Sequence, residues 1–320
     1  MHRILARIRQ ALEAAGASLA RFEPGAVASS QKSHGRGPVT EADRAVNRVL
    51  HDALRGRGEG WLSEESVDDF ERLKRSRVWI VDPLDGTLEF IAGIPEWCVS
   101  VGWVENGHPV AGGIYNPMTR ELFLGSLETG VTYNGKPVTA SGKIGLSGAM
   151  VLASRSEVQR GEWDDFKGEG FHIRPVGSVT YKLALVAAGL ADATWTLSPK
   201  NEWDIAAGVA LVISAGGFVE CPGNPKLTFN RRVSRLPVLI AGGASLREEL
   251  SNFSARAVVS ASPCVPWKES HRCLERTSPA APAAQNSLST SHDCALPMNG
   301  GFPSRFAQTT LLIRSDLVSR

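Results

Sequence analysis

No stretch of this chain approaches the roughly 18 uninterrupted apolar residues of a membrane-spanning helix, so no membrane span is expected. Its opening residues, Met1-His2-Arg3-Ile4-Leu5-Ala6-Arg7-Ile8-Arg9-Gln10, interleave arginine with apolar side chains and lack the continuous apolar core of a secretory signal. They read as an amphipathic helix. Cysteine is scattered: Cys98, Cys221, Cys264, Cys273 and Cys294 make no Cys-x-x-Cys pair and no spacing with histidine that suggests zinc. Such an odd set fits reduced thiols, and a cytoplasmic location is expected. Net charge is nearly absent, a formal +2, so no strong field points to nucleic acid or to an acidic membrane surface. Neither is expected as a partner, and an anionic small molecule would need a local site. No repeat appears at solenoid periods.

What is present is an ordinary apolar content over 320 residues, enough for one large α/β domain or two modest ones. Residues 3–21 read as a helix, followed by a loop rich in Gly, Ser and charge through Gly37-Pro38. Thr40-Glu41-Ala42-Asp43 resembles an N-cap with an acid three residues on, and Ala45, Val46, Val49, Leu50, Ala53 and Leu54 form the stripe of a second helix. Val78-Trp79-Ile80-Val81 is a β-branched run that predicts a buried strand stopping at Asp82-Pro83. Antiparallel strands are expected over 98–104, 109–115, 121–125 and 131–133, separated by Glu105-Asn106-Gly107, Asn116-Pro117 and Asn134-Gly135. A helix over 179–188 ends at Gly189, a strand covers 193–197, a helix over 205–215 closes at Gly216-Gly217, and a last strand spans 238–241. Beyond Glu249 the periodicity fades. Residues 251–320 are dense in Ser, Pro and Ala and predict a largely disordered tail, in which Thr310-Leu311-Leu312-Ile313 is too brief to matter.

The strongest chemical signal is Trp79-Ile80-Val81-Asp82-Pro83-Leu84-Asp85-Gly86-Thr87. A strand delivers two carboxylates around a proline-stiffened turn, where both can reach one point and the Leu84 carbonyl can join them, the oxygen donors that hard cations such as Mg²⁺ take. Gly86 leaves room for close backbone approach, and Thr87 offers a hydroxyl and an N–H at a helix start, where phosphate binds. Alone, two aspartates around a proline also describe an ordinary strand-ending turn. Likewise Ser63-Glu64-Glu65-Ser66 reads equally as a solvated loop, and Asp204 in Asn201-Glu202-Trp203-Asp204-Ile205-Ala206-Ala207-Gly208 as an N-cap.

In combination, Asp82-Pro83-Leu84-Asp85-Gly86-Thr87, Glu64-Glu65-Ser66, Thr40-Glu41-Ala42-Asp43 and Trp203-Asp204-Ile205-Ala206-Ala207-Gly208 resemble the inositol monophosphatase superfamily in order and spacing. The resemblance covers residues 1 to about 250, where the family pattern runs out near Leu250. It implies an α/β (α+β) fold, a layered α-β-α-β-α sandwich with an N-terminal α+β layer about 1–140 and a C-terminal α/β layer about 141–250. It also implies two or three Mg²⁺ ions: Glu64, Asp82 and the Leu84 carbonyl at the first, and Asp82, Asp85 and Asp204 at a second that contacts the leaving-group oxygen. A water positioned by Glu64 and Thr87 would attack phosphorus in line, with Asp43 orienting the Thr87 hydroxyl and the N–H groups of Gly86 and Thr87 holding phosphate oxygens. Lithium inhibition is expected. Homodimers are frequent in the family. Ser63, where many members have glycine, is a small departure, and the tail is a larger one.

Within the superfamily, the stretch from Leu62 through Asp68-Asp69, Arg72-Leu73 and Arg77-Val78-Trp79 to Glu89-Phe90 looks most like the CysQ-type 3'(2'),5'-bisphosphate nucleotidases. Glu89 discriminates, since inositol monophosphatases more often carry Thr-Asn-Phe there. Asn201-Glu202-Trp203-Asp204 and Gly177-Ser178-Val179-Thr180-Tyr181-Lys182 point the same way. Lys182 would meet a second phosphate or a ribose, or else be a surface lysine of an amphipathic helix. The small phosphorylated metabolite is thus expected to be adenosine 3',5'-bisphosphate, with inositol phosphate as the alternative and fructose 1,6-bisphosphate behind both. A catalytically idle scaffold is the reading from another class, and retention of every expected ligand argues against it.

Overall fold

The computed structural model describes residues 1–31, 37–222 and 227–260. Residues 261–320, which hold most of the expected tail along with Cys264, Cys273 and Cys294, lie outside them. Helix α1 (His2–Leu19) buries Ile8, Ala11, Leu12, Ala15 and Leu19, the single stripe that a 3.6-residue period produces. A small hairpin, β1 (Ser29–Gln31) with β2 (Pro38–Thr40), leads into α2 (Glu41–Leu54). The helix α2 opens on a capping box in which the Asp43 carboxylate accepts the Thr40 N–H at 2.8 Å.

Strands β3 (Gly60–Ser63), β4 (Arg77–Asp85), β5 (Cys98–Glu105), β6 (His108–Asn116), β7 (Glu121–Ser126), β8 (Gly130–Tyr133) and β9 (Lys136–Val138) form a seven-stranded sheet in that order. Only β3 and β4 run parallel. Side chains alternate across it: Trp79, Val81, Val99, Val101 and Trp103 pack beneath α1 and α2, while Val78, Ile80, Cys98 and Val104 face the other way. Between β4 and β5 lies the short helix α3 (Thr87–Ala92).

The second half supplies β10 (Met150–Ser154), α4 (Arg155–Gln159), β11 (His172–Val176), α5 (Val179–Ala187), β12 (Ala193–Trp195), β13 (Lys200–Asn201), α6 (Glu202–Ser214), β14 (Gly217–Glu220), β15 (Arg235–Leu236), β16 (Ile240–Gly243) and α7 (Arg247–Ser260). Five of these strands form a sheet ordered β11-β10-β12-β16-β14. Helices α5 and α6 fill the space between the two sheets, and α7 covers the outer face of the five-stranded one. The result is the layered α-β-α-β-α sandwich. Among the described residues no helix is long and apolar enough to cross a membrane, and Cys98 and Cys221 are free and buried.

Three expectations change. Strand β4 does not stop at Asp82-Pro83 but continues to Asp85 through a register shift: Asp82 faces Ser100 and Asp85 faces Cys98, so one extra residue bulges out. Pro83, with no N–H to donate, suits that break. Helix α6 begins at Glu202, three residues before the expected start, which puts Asp204 inside its first turn. The boundary expected at 250 falls inside α7, whose Phe253 is buried with its ring 5.6 Å from that of Trp195 and 5.7 Å from those of Phe166 and Phe171. That aromatic cluster is assembled from distant segments and leaves no local period to read.

Candidate active site

The bulge in β4 sets the site's geometry. Asp82 is 1% exposed, and its carboxylate accepts the Leu84 N–H at 3.0 Å, closing the turn over Pro83. Gly86 follows at φ 95°, where a side chain is strained, and a Cβ there would also lie 3.0 Å from the Glu96 carbonyl oxygen. Thr87 then starts α3, its hydroxyl 3.1 Å from the Leu84 carbonyl oxygen and 3.2 Å from Asp43 Oδ1. Asp43 therefore serves two elements. Oδ2 takes the Thr40 N–H and hydroxyl at the start of α2, and Oδ1 takes Thr87.

On the far side, Asp85 is held by α5. Its Oδ2 accepts the Ser178 hydroxyl at 2.5 Å and the Thr180 N–H at 2.7 Å. Thr180 in turn donates its hydroxyl to the Asp204 carbonyl oxygen at 2.5 Å, so one residue ties Asp85 to α6. The Asp204 carboxylate caps its own helix, accepting the Asn201 N–H at 2.7 Å. Asp204 is therefore not the N-cap residue itself: Asn201 is, and Asp204 at the third helical position supplies the return bond of a capping box while also lining the site's cavity.

Glu64 follows β3. The Ser63 hydroxyl donates to Asn47 Oδ1 at 2.7 Å, and the Asn47 amide donates to the Glu65 carbonyl oxygen at 3.3 Å, so α2 holds this loop. Serine in place of glycine gives the loop an anchor here. Glu64, Asp82, Leu84, Asp85, Gly86, Thr87, Lys182 and Asp204 all line one cavity of 350 Å³, with Glu89 and Lys200 in its wall. Asp43 stands behind Thr87. A larger cavity of 730 Å³ lies beyond Glu64, which borders both.

Charge is badly balanced in this space. Burial, reinforced by Glu64, Asp85 and Asp204, pushes the Asp82 carboxyl well above the usual range. Burial and the charges of Asp85 and Glu64 push Asp204 to about 8. Glu89 is raised by burial and then by Asp85. Lys182 is 2% exposed, with its ammonium 3.0 Å from the Gly177 carbonyl oxygen, and burial with the nearby Lys200 lowers it to about 8. The surface-lysine reading of Lys182 therefore fails: α5 is buried on every face between the two sheets. Hard oxygen donors that repel one another in a buried space fit divalent cations, which relieve the repulsion. Among the described residues no three such side chains already meet at one ion position; they ring the cavity.

Sequence reasoning gave no role to Ser178, Thr180 and Lys200. Ser178 carried a detectable signal as the N-cap of α5, accepting the Tyr181 N–H. The contacts of Thr180 cross between elements and have none, and the Lys200 ammonium donates locally, to the Ser198 hydroxyl at 3.1 Å, which says nothing of its place in the cavity wall.

The layered fold and its carboxylate-lined cavity define a class, a phosphatase whose site is built for cations. The chain belongs to the inositol monophosphatase family, whose model matches residues 2–252. It is 37% identical over 224 residues to an inositol-1-monophosphatase of Mesorhizobium japonicum, covering 66% of this chain and 82% of that one. A Thermotoga maritima fructose-1,6-bisphosphatase/inositol-1-monophosphatase is 34% identical, with 57% of this chain and 70% of that one covered. Among solved structures, CysQ from Bacteroides thetaiotaomicron superposes with a TM-score of 0.63 at 28% identity, covering 75% of this chain and 97% of its own.

Proposed function

We propose that this chain is a Mg²⁺-dependent phosphomonoesterase acting on a small phosphorylated metabolite, and that its preferred substrate is adenosine 3',5'-bisphosphate, converted to AMP and phosphate. The observation that carries the reading is the single cavity in which mutually repelling carboxylates face two lysines. Glu64, Asp82 and the Leu84 carbonyl would hold one cation, and Asp82, Asp85 and Asp204 another. When bound, such ions neutralise phosphate oxygens and lower the pKa of a water toward neutrality. Glu64 and the Thr87 hydroxyl would flank the attacking water, and Asp43, already 3.2 Å from that hydroxyl, would keep it aimed. The N–H groups of Gly86 and Thr87 would hold the phosphate oxygens as their charge redistributes.

Lys182 supports a second anionic group on the substrate. Its ammonium, with a pKa lowered to about 8 and bonded only to backbone carbonyls among the described residues, would gain a counter-charge beside a phosphate. Glu89 packs against Gly177 so tightly that a Cβ there would lie 2.4 Å from Glu89 Cγ, which brings the discriminating acid to the same wall. The second reading, inositol phosphate as substrate, is favoured by the 37% identity to the Mesorhizobium enzyme. Kinetics on purified protein decide. We expect kcat/KM for adenosine 3',5'-bisphosphate to exceed that for inositol 1-phosphate by about tenfold, about 1.4 kcal/mol, with Mg²⁺ required and Li⁺ inhibitory. A ratio at or below one reverses the order.

A further inference from the structure

The side chains of Asp68, Arg72 and Glu202 have no role in the chemistry above, yet they are joined. Arg72 is 2% exposed. Its guanidinium grips Asp68 through three contacts of 2.7 to 3.1 Å, donates to Asn230 Oδ1 at 2.8 Å and to the Arg231 carbonyl oxygen at 2.9 Å. The Asn230 amide donates back to the Arg72 carbonyl oxygen at 3.0 Å. The N–H groups of Asn230 and Arg231 then donate to the two carboxylate oxygens of Glu202, at 2.7 and 2.9 Å. Glu202 is fully buried in the first turn of α6, beside Asp204.

This chain of bonds begins on the loop that carries Glu64 and ends on the turn that carries Asp204. Apolar packing does little for that loop: Val67 is 97% exposed and Phe70 41%. Asn47 secures its near side and Arg72 its far side. Burying a guanidinium and a carboxylate costs desolvation that a pair of apolar side chains would avoid, so such a network contributes geometry more than stability.

We infer that Arg72, Asn230 and Glu202 form a positioning network that ties the Glu64 loop to the first turn of α6, holding the carboxylates of the two cation sites at a fixed separation. The inference rests on the assignment of Glu64 and Asp204 as cation ligands. Weakening the network loosens two sites at once and lowers affinity for Mg²⁺ before it affects substrate.

Asn230→Gly is the cleanest test. Asn230 sits at φ 59°, which glycine adopts freely, so both N–H bonds to Glu202 persist while the amide link to Arg72 is lost. Arg72→Lys, which keeps the charge but not the planar fork, is the second variant. On the full-length metal-free protein, calorimetric titration with Mg²⁺ should show Kd raised about tenfold in each variant, matched by the Mg²⁺ concentration for half-maximal activity. KM for substrate at saturating Mg²⁺ should stay within about twofold, and the double variant should add little to either single one. An unchanged Mg²⁺ Kd in whichever variant folds, or a fall in Tm alone, would show the network to be structural only. Failure of the wild-type chain to bind Mg²⁺ would overturn the cation assignment itself.

Discussion

Gly112 of β6 and Ala207 of α6 touch backbone to backbone: a Cβ at Gly112 would lie 2.6 Å from the Ala207 carbonyl oxygen and 3.0 Å from its Cα. On the adjacent strand, a Cβ at Gly102 would lie 3.0 Å from the Ala207 nitrogen. Two glycines thus let α6 lie directly on the seven-stranded sheet, and that seating places Asp204. Gly112→Ala should push the helix outward, costing about 1–3 kcal/mol of stability and reducing kcat/KM even where the protein remains folded. Gly142→Ala, where a Cβ meets nothing within 4 Å, is the control. Denaturant melts and kinetics on both check it; equal behaviour would refute the seating argument.

Asp82→Asn removes the carboxylate assigned to both cations. Phosphatase activity should fall more than tenfold at saturating Mg²⁺, about 1.4 kcal/mol of barrier, while the metal-free protein becomes more stable because a buried repulsion is gone. Retention of more than a tenth of wild-type kcat contradicts the bridging role.

Metal-free stability should depend on pH with a definite sign. An unfolded aspartate titrates near ~3.9, whereas Asp204 is pushed to about 8 in the fold and Asp82 moves the same way. Between these values the native state holds more protons than the unfolded one, so stability falls as pH rises from about 4 to about 8. Melting in EDTA across this window should show Tm declining, and Mg²⁺ should restore more Tm at pH 8 than at pH 5. A Tm in EDTA that climbs through the window would count against buried, repelling carboxylates.

Ser178 both caps α5, accepting the Tyr181 N–H at 2.9 Å, and donates to Asp85 at 2.5 Å. Ser178→Ala should cost about 1–2 kcal/mol in denaturant unfolding and also weaken the Mg²⁺ response of activity. A stability loss with an unaltered Mg²⁺ response would confine Ser178 to the cap.

Phe253 makes α7 part of the folded unit. Phe253→Ala should cost about 3 kcal/mol, seen as a lower denaturation midpoint, and a stop after Leu250 should be at least as damaging. A stable, active chain ending at 250 would restore the earlier boundary.

Much of this protein could be read locally. Asp82 through Thr87 lie within one turn and suggest a cluster that the companion motifs at Glu64, Asp43 and Asp204 are needed to distinguish from an ordinary strand-ending turn, and the alternation of Val78, Trp79, Ile80 and Val81 marks a strand buried on both faces. Thr40 and Asp43 form a cap that any reader of helix starts would find. Lys182 stayed open between substrate contact and surface because α5 is buried on every face, so its sequence shows no solvent side on which a lysine could be placed.

The sequence by itself determined the elements, because hydrophobic period, caps and turns act over a few residues, while the layered class and the choice of Glu64, Asp82, Asp85 and Asp204 as candidate acids came from the resemblance of its combined motifs to a family. Only the tertiary structure decided that Lys182 is buried, that Thr180 joins Asp85 to Asp204, and that Arg72 reaches Asn230 across 158 positions of chain. Burial, mutual repulsion and hydrogen-bond partnership depend on separation in space, and folding brings together carboxylates whose separation along the chain says nothing about how strongly they repel.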